Sequence, residues 1–262
     1  MAIGVLLDRK YSLRSINLGI VCPMANERNS VELFVNLVLA QCIGFKSVKF
    51  FAVLDKVSTD GTRDILVNLS KSKPEICVVW APKNRCVVDA YIRGYEEALA
   101  SGCDWILEID AGFSHQPSDI PKFFDKMLQG YECVFGSRFC KGGKITESSL
   151  KRYLISRGGS LLTNLLLGTK LKDMTSGFEL FTSHALKHVL KQGIYSKGHF
   201  FQTEIKVHCR HLRISEVPIH YKSASPSVNN FVIKDAFNNL LRLTVQRFKG
   251  KVRKYRFLSS KT

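Results

Sequence analysis

Leu107-Glu108-Ile109-Asp110-Ala111-Gly112-Phe113-Ser114-His115-Gln116-Pro117 runs from an apolar strand end through a polar loop to a proline suited to open a helix. Open α/β sheets bind ligands in the crevice outside the carboxyl ends of their strands, which is where this stretch places Asp110. The flanking segments keep the same rhythm. Apolar runs at residues 17–22, 47–54, 75–80 and 104–109 read as buried strands, and residues 28–41 and 87–100 as helices, with Asp60 suited to cap a third. Such alternation predicts an α/β fold: a mainly parallel sheet with helices on both faces. Beyond Pro117 a helix is expected to about residue 128, a strand at 133–135, helices at 150–167 and 200–211, and a strand at 214–221.

At 262 residues and 45% hydrophobic content the chain can bury one sizeable core. The apolar run 161–167 is interrupted by Thr163 and Asn164 and falls short of the roughly 18 to 20 residues that span a bilayer. Residues 1–15 lack the pattern of a secretory signal, so a cytoplasmic location is expected. The eight cysteines form no Cys-x-x-Cys pair, which predicts reduced, buried thiols and neither a zinc site nor a disulfide framework.

The formal charge is +17, and residues 231–262 carry nine Lys or Arg against the single acid Asp235. Phe231, Val232, Phe237, Leu240, Leu241, Leu243, Val245 and Phe248 recur near helical spacing between those cations. A basic amphipathic helix of this kind lies on an anionic membrane surface; the alternative is that its apolar stripe packs on the domain. Two units are therefore expected: residues 1–222 as a catalytic domain and 223–262 as a basic amphipathic segment. Nucleic acid is a poor partner, because basic and aromatic residues interleave only in this tail.

Six blocks carry a resemblance to a known family: Pro23-Met24-Ala25-Asn26-Glu27-Arg28; Ser58-Thr59-Asp60-Gly61-Thr62; Asp110 to Pro117; Gly136-Ser137-Arg138-Phe139 with Lys141-Gly142-Gly143; Thr175-Ser176-Gly177-Phe178; and Lys197-Gly198-His199-Phe200-Phe201-Gln202-Thr203-Glu204. In order and spacing they resemble the inverting GT-A glycosyltransferases of family 2, and among these the polyprenyl-phosphate (dolichol-phosphate) mannose synthases. The resemblance implies a nucleotide sugar as donor, GDP-mannose or a UDP-sugar, and a polyprenyl phosphate as acceptor.

It also implies roles. Pro23, Asn26, Glu27 and Asp55 would hold the base end of the nucleotide; Asn26 and Glu27 would equally suit a helix start. Asp55 is followed by Lys56 where the family carries a second Asp. Arg85, followed by Cys86 in place of the usual Gly, would approach the diphosphate, with Asp110, Ala111 and Gln202 completing the donor side. Arg138, Arg152 and Ser156 match the positions that grip the acceptor's phosphate, for which the planar guanidinium is suited. Asp110 and Arg138 would carry catalysis, with Asp173 or Glu204 as the base if the acceptor were a hydroxyl.

The family's Asp-x-Asp metal motif reads Asp110-Ala111-Gly112 here. Mg²⁺ or Mn²⁺ held by Asp110, with Glu108 two residues back on the same strand face, is one expectation. His115 and Gln116 are other candidates, and a site that works without metal is the alternative. The function expected is transfer of a hexose, mannose foremost, onto polyprenyl phosphate by a peripheral membrane enzyme. The alternatives are UDP-sugar transfer to a glycan or other lipid, and an impaired sugar-nucleotide binder.

Overall fold

The computed structural model describes residues 13–148, 150–222 and 230–249, without the side chains of Lys151, Arg152 and Asn230. Readings that rest on residues 1–12, 223–229 or 250–262, and on the Arg152 side chain, lie outside the described residues. In chain order the elements are β1 (Asn17–Pro23), α1 (Val31–Ala40), β2 (Ser47–Leu54), α2 (Thr62–Ser72), β3 (Ile76–Trp80), α3 (Val87–Ala100) and β4 (Trp105–Glu108). A short 3-10 turn (Pro117–Asp119) leads into α4 (Ile120–Leu128), then β5 (Cys133–Ser137), β6 (Lys144–Thr146), α5 (Leu150–Leu167), β7 (Glu179–Thr182) and α6 (Ser183–Gln192). The last elements are α7 (Phe201–Cys209), β8 (Ile214–Pro218), β9 (His220–Lys222) and α8 (Asn230–Phe248).

Seven strands make one sheet in the order β3-β2-β1-β4-β7-β5-β8, and β6 pairs with β9 beside it. The sheet is mixed and mainly parallel: β7 runs against both β4 and β5, while its other pairings are parallel. Alternate residues of β2 enter opposite cores, Phe50, Ala52 and Leu54 on one face and Phe51 and Val53 on the other. Burial on both sides explains why this strand reads as a continuous apolar run rather than an alternating one. Helices α1 and α4 cover the first face; α3, α6 and α7 cover the second.

Helix α3 lies unusually close to the sheet. A Cβ on Gly94 would come 2.3 Å from Cγ1 of Val21 and 3.1 Å from Cγ2 of Val53. Alanine normally favours a helix over glycine by about 1 kcal/mol. Here Gly94→Ala is expected to reverse that sign and destabilise the protein by about 1–3 kcal/mol, because the helix must lift off two packed valines. A thermal melt checks it; an unchanged or raised Tm would contradict the packing described.

The pairing of Pro23 with Val53 and of Val21 with Glu108 brings the carboxyl ends of β1, β2 and β4 to one edge. The loops after these strands meet there. Helices α5 and α8 pack together through Leu167 and Leu243, in a small core with Met174, Phe200 and Val207, and roof the same region. Within the basic segment, helix α8 is thus seated on the body of the protein. All eight cysteines are free thiols, five of them buried.

Candidate active site

Asp110 stands at the centre of this edge. Its side chain is 39% exposed and accepts a hydrogen bond from the hydroxyl of Tyr91 on α3, a residue the sequence reading did not single out. Burial, followed by the charge on Asp110, pushes the Tyr91 phenol well up, so it remains a donor. The loop then turns through Gly112 (φ 71°) and Phe113 (φ 60°) and brings His115 back beneath Asp110.

Behind this edge is a buried polar layer. Glu108 has no exposed surface and accepts hydrogen bonds from the Tyr95 hydroxyl and the Gln202 amide. Burial and then the charge of Glu179 raise its pKa well above the carboxylate range. A carboxyl sealed from the cleft, with each oxygen taken by a protein donor, is no metal ligand, so the expectation for Glu108 is corrected. Lys206 bonds Glu179 and the carbonyl of Ser176 at 2.6 Å, and Glu179 titrates at about 7 because burial outweighs that ion pair. The layer locks α7 to β4 and β7, and so fixes the floor of the site.

On the acceptor side Arg138, just after β5, is buried, with 8% of its surface exposed. Its Nε donates to Asp173 Oδ2 at 2.7 Å and its Nη2 to Asp173 Oδ1 at 2.8 Å and Thr175 Oγ1 at 2.5 Å. Burial opposes ionisation of Asp173, but the guanidinium outweighs it and holds the carboxyl below its usual range. Asp173 is therefore a buried counter-ion that orients Arg138, which corrects its reading as a base. Glu204 is corrected on similar grounds. It accepts from the amides of Tyr195 and Ser196 at 3.0 Å each and from Arg242 of α8, fully buried outside the cleft.

The readings of Asn26, Asp60 and Arg85 also change. Asn26, at φ 59°, donates to the Val57 carbonyl at 3.1 Å and accepts from the Thr59 amide at 3.0 Å, so its amide pins the loop after β2. Asp60 accepts from the amides of Arg28 and Thr62, at 2.9 and 3.0 Å, and helix α2 is entered through Gly61 without a side-chain cap. Arg85 lies on the surface, its guanidinium forked onto Asp89 at 2.8 and 3.0 Å, and is not aimed at the cleft. Pro23 closes β1 and Asp55 closes an Asx turn onto the Val57 amide at 2.8 Å; both stay at the strand-end edge with Ala111.

One cavity of about 460 Å³ joins these parts. Asp110, His115, Arg138, Ser156, Thr175 and Gln202 line it together, so the structure unites residues expected on both donor and acceptor sides. Its far wall is apolar, built from Ile155 and Leu162 of α5 and Val232, Phe237 and Leu240 of α8. Three lining residues hold buried polar atoms without a hydrogen-bond partner among the described residues: His115 Nε2, Ser176 Oγ and Gln202 Oε1. Native proteins leave few such atoms unpaired. Three such atoms gather around this one cavity.

Residues 19–190 match the family Glycosyl transferase family 2. The chain belongs to this family, and it is a glycosyltransferase. Among proteins similar to this glycosyltransferase, the undecaprenyl-phosphate mannosyltransferase of Micrococcus luteus is 33% identical over 171 residues, 64% of this chain and 70% of the relative. The polyprenol monophosphomannose synthase of Mycolicibacterium smegmatis is 26% identical over 187 residues, 71% of this chain and 69% of the relative. A crystal structure of glucosyl-3-phosphoglycerate synthase from Mycobacterium tuberculosis with Mn²⁺, UDP-glucose and phosphoglyceric acid superimposes with a TM-score of 0.64 at 15% identity, covering 92% of this chain and 83% of that one. At that identity the likeness speaks for the fold, a GT-A architecture as expected.

That crystal structure contains a divalent cation, Mn²⁺. No group of three or more His, Cys, Asp or Glu side chains among the described residues is arranged to hold a metal. His115 Nδ1 is taken by the Asp110 amide at 3.2 Å, which removes that nitrogen as a ligand. A second carboxylate is nevertheless at hand: a Cβ on Gly112 would come 2.8 Å from Oε1 of Glu27 and 3.1 Å from its Oε2. Glu27 thus fills the space that the side chain of a second motif aspartate would enter. Together, Asp110 and Glu27 offer the hard oxygen atoms such a cation takes.

Proposed function

We propose that this glycosyltransferase moves a hexose, mannose from GDP-mannose, with inversion onto the phosphate of a polyprenyl lipid at an anionic membrane surface. The observation that carries this reading is the two-ended cavity. A guanidinium and other polar groups gather at one end and aliphatic and aromatic side chains of α5 and α8 at the other, which suits an acceptor with an anionic head and a hydrocarbon tail. The names of the two mannosyltransferase relatives support the same acceptor.

A phosphate monoester is already an anion at neutral pH. Its oxygen attacks C1 of the sugar from the face opposite the nucleoside diphosphate; the new O–C1 bond forms as the C1–O bond to the diphosphate breaks, and no proton need be removed. This reading needs no general base, in keeping with Asp173 and Glu204 both being committed elsewhere. Arg138 holds and orients the incoming phosphate, so positioning supplies most of the acceleration. Ser156, half-buried on α5, is placed to add a hydroxyl. Mg²⁺ or Mn²⁺, held by Asp110 and Glu27, would neutralise charge on the departing diphosphate.

Purified protein, GDP-mannose and a short polyprenyl phosphate should yield the mannosyl phosphodiester by mass spectrometry, with no product from the corresponding free alcohol. Equal transfer to the alcohol, or transfer from UDP-sugars alone, would overturn the reading.

Association with the membrane is proposed through the same two helices. No helix among the described residues is long and apolar enough to cross a membrane. Yet Leu161 (72%) and Leu165 (75%) on α5, and Phe237 (65%), Leu241 (55%) and Phe248 (76%) on α8, stand exposed on neighbouring helices. Apolar surface on this scale beside a basic tail suits the headgroup boundary of anionic lipid. Glutamate at both Leu161 and Leu241, neither of which lines the cavity, is expected to weaken sedimentation with anionic vesicles by about tenfold or more. Undiminished binding would place the membrane contact elsewhere.

A further inference from the structure

His115 is the buried group that the mechanism above does not use. Its ring is 1% exposed, stacked on Phe178 with centroids 5.0 Å apart, and set 5.2 Å from the ring of Tyr221. Arg138 lies over that same tyrosine, its guanidinium carbon 5.4 Å from the centroid. One aromatic side chain therefore has the imidazole and the guanidinium as neighbours, and both line the cavity.

The hydrogen bonds assign the tautomer. Nδ1 lies 3.2 Å from the backbone nitrogen of Asp110, which can only donate, and 3.6 Å from Asp110 Oδ2, beyond a good hydrogen bond. Nδ1 thus accepts. The neutral ring then carries its proton on Nε2, the atom that has no partner among the described residues. A buried N–H left unpaired is destabilising unless something completes it. Stacked on Phe178 and tilted at 53° against Tyr221, the ring is held in place by packing on both neighbours.

Building on the acceptor reading, we infer that His115 is a substrate-contacting residue whose Nε2–H donates a hydrogen bond to a phosphate oxygen of the polyprenyl phosphate beside Arg138. The acceptor headgroup is thereby held by one charged and one neutral donor. The neutral one adds direction without setting a second cation beside the guanidinium. A free alcohol offers only one oxygen to these donors, so the pair also favours the phosphorylated lipid.

Two substitutions separate this role from a structural one. The amide oxygen of asparagine can take the place of Nδ1 and keep the Asp110 bond, but asparagine is too short to reach the position of Nε2. Glutamine carries an N–H donor out to that position and gives up the inner acceptor. His115→Asn should raise the acceptor KM by about tenfold, the worth of one hydrogen bond to a charged group, with the donor KM unchanged. His115→Gln should stay within about threefold of wild type. The reverse order, a change confined to the donor KM, or no change in either variant would overturn the assignment. Wild-type protein that shows no transfer to a polyprenyl phosphate fails the functional reading itself, whatever the variants do.

Discussion

Arg138→Lys is expected to lower transfer about a hundredfold and raise the acceptor KM while leaving nucleotide-sugar affinity intact. The reason is geometric. Asp173 and Thr175 engage Nε and Nη2, which fixes the guanidinium plane and leaves its Nη1 edge without a hydrogen bond among the described residues. Lysine keeps a charge close to Asp173 but has no rigid fork, so it can satisfy the aspartate or the phosphate and orients neither well. Arg138→Ala is the harsher change. It strands the fully buried Asp173 carboxylate, and breaking a buried pair from one side costs about 3–5 kcal/mol. Activity should vanish, with part of that loss owed to a damaged fold, which is why the lysine variant is the more informative one. Steady-state kinetics with each substrate varied in turn, beside a thermal melt, tests both. If Arg138→Lys keeps the wild-type acceptor KM, the guanidinium serves only to neutralise Asp173; if donor affinity falls in step, Arg138 belongs to the donor half of the site.

The same pair shows what could and could not be read from the chain. Strands β1 to β4 were legible because parallel strands covered on both faces are runs of apolar residues, and the bounds of β2, α3 and α5 coincide with those read from periodicity. Strand β7 and helix α6 were not foreseen. Glu179–Thr182 is four residues long and begins with a buried acid, and its place between β4 and β5 depends on partners far off in sequence. The motif residues were found by their likeness to a family, but their roles turn on pairings between distant positions: Asp173 with Arg138, Glu204 with Arg242, Gln202 with Glu108. A carboxylate in a motif looks alike whether it faces substrate or a buried cation. Arg85 is the contrary case: it lies just before a helix read at 87–100, whose first-turn acid Asp89 is a ready partner for a neighbouring cation. That signal was available. Tyr91 carried no such mark: an aromatic residue on the inner face of α3 reads as core, and only the fold sets its hydroxyl against Asp110.

Glu27→Gln is expected to weaken Mn²⁺ binding in the presence of GDP by about 10–100-fold and to cut kcat by at least as much. The departure from the family pattern at Gly112 invites the view that the chain has lost a ligand. The geometry favours a substitution in space: the Glu27 carboxylate, steadied by the Ser30 hydroxyl at 2.6 Å, reaches from the end of β1 into the volume a side chain at 112 would enter. Restoring the motif by Gly112→Asp should therefore not help. The new Cβ would meet Glu27 Oε1 at 2.8 Å, two carboxylates would crowd one spot, and the backbone there sits at φ 71°, where a side chain costs roughly 1–2 kcal/mol. A lower Tm with no gain in Mn²⁺ affinity is the expected result. Glu27→Ala combined with Gly112→Asp clears the clash and should bind Mn²⁺ more tightly than Glu27→Ala alone, because an aspartate then has the vacated space. Electron paramagnetic resonance titration of free Mn²⁺ reads the wild type and all four variants without turnover. Wild-type affinity in Glu27→Gln would mean that Asp110 and the nucleotide hold the cation unaided, and a rise in affinity for the single Gly112→Asp variant would mean that the glycine is a lost ligand after all.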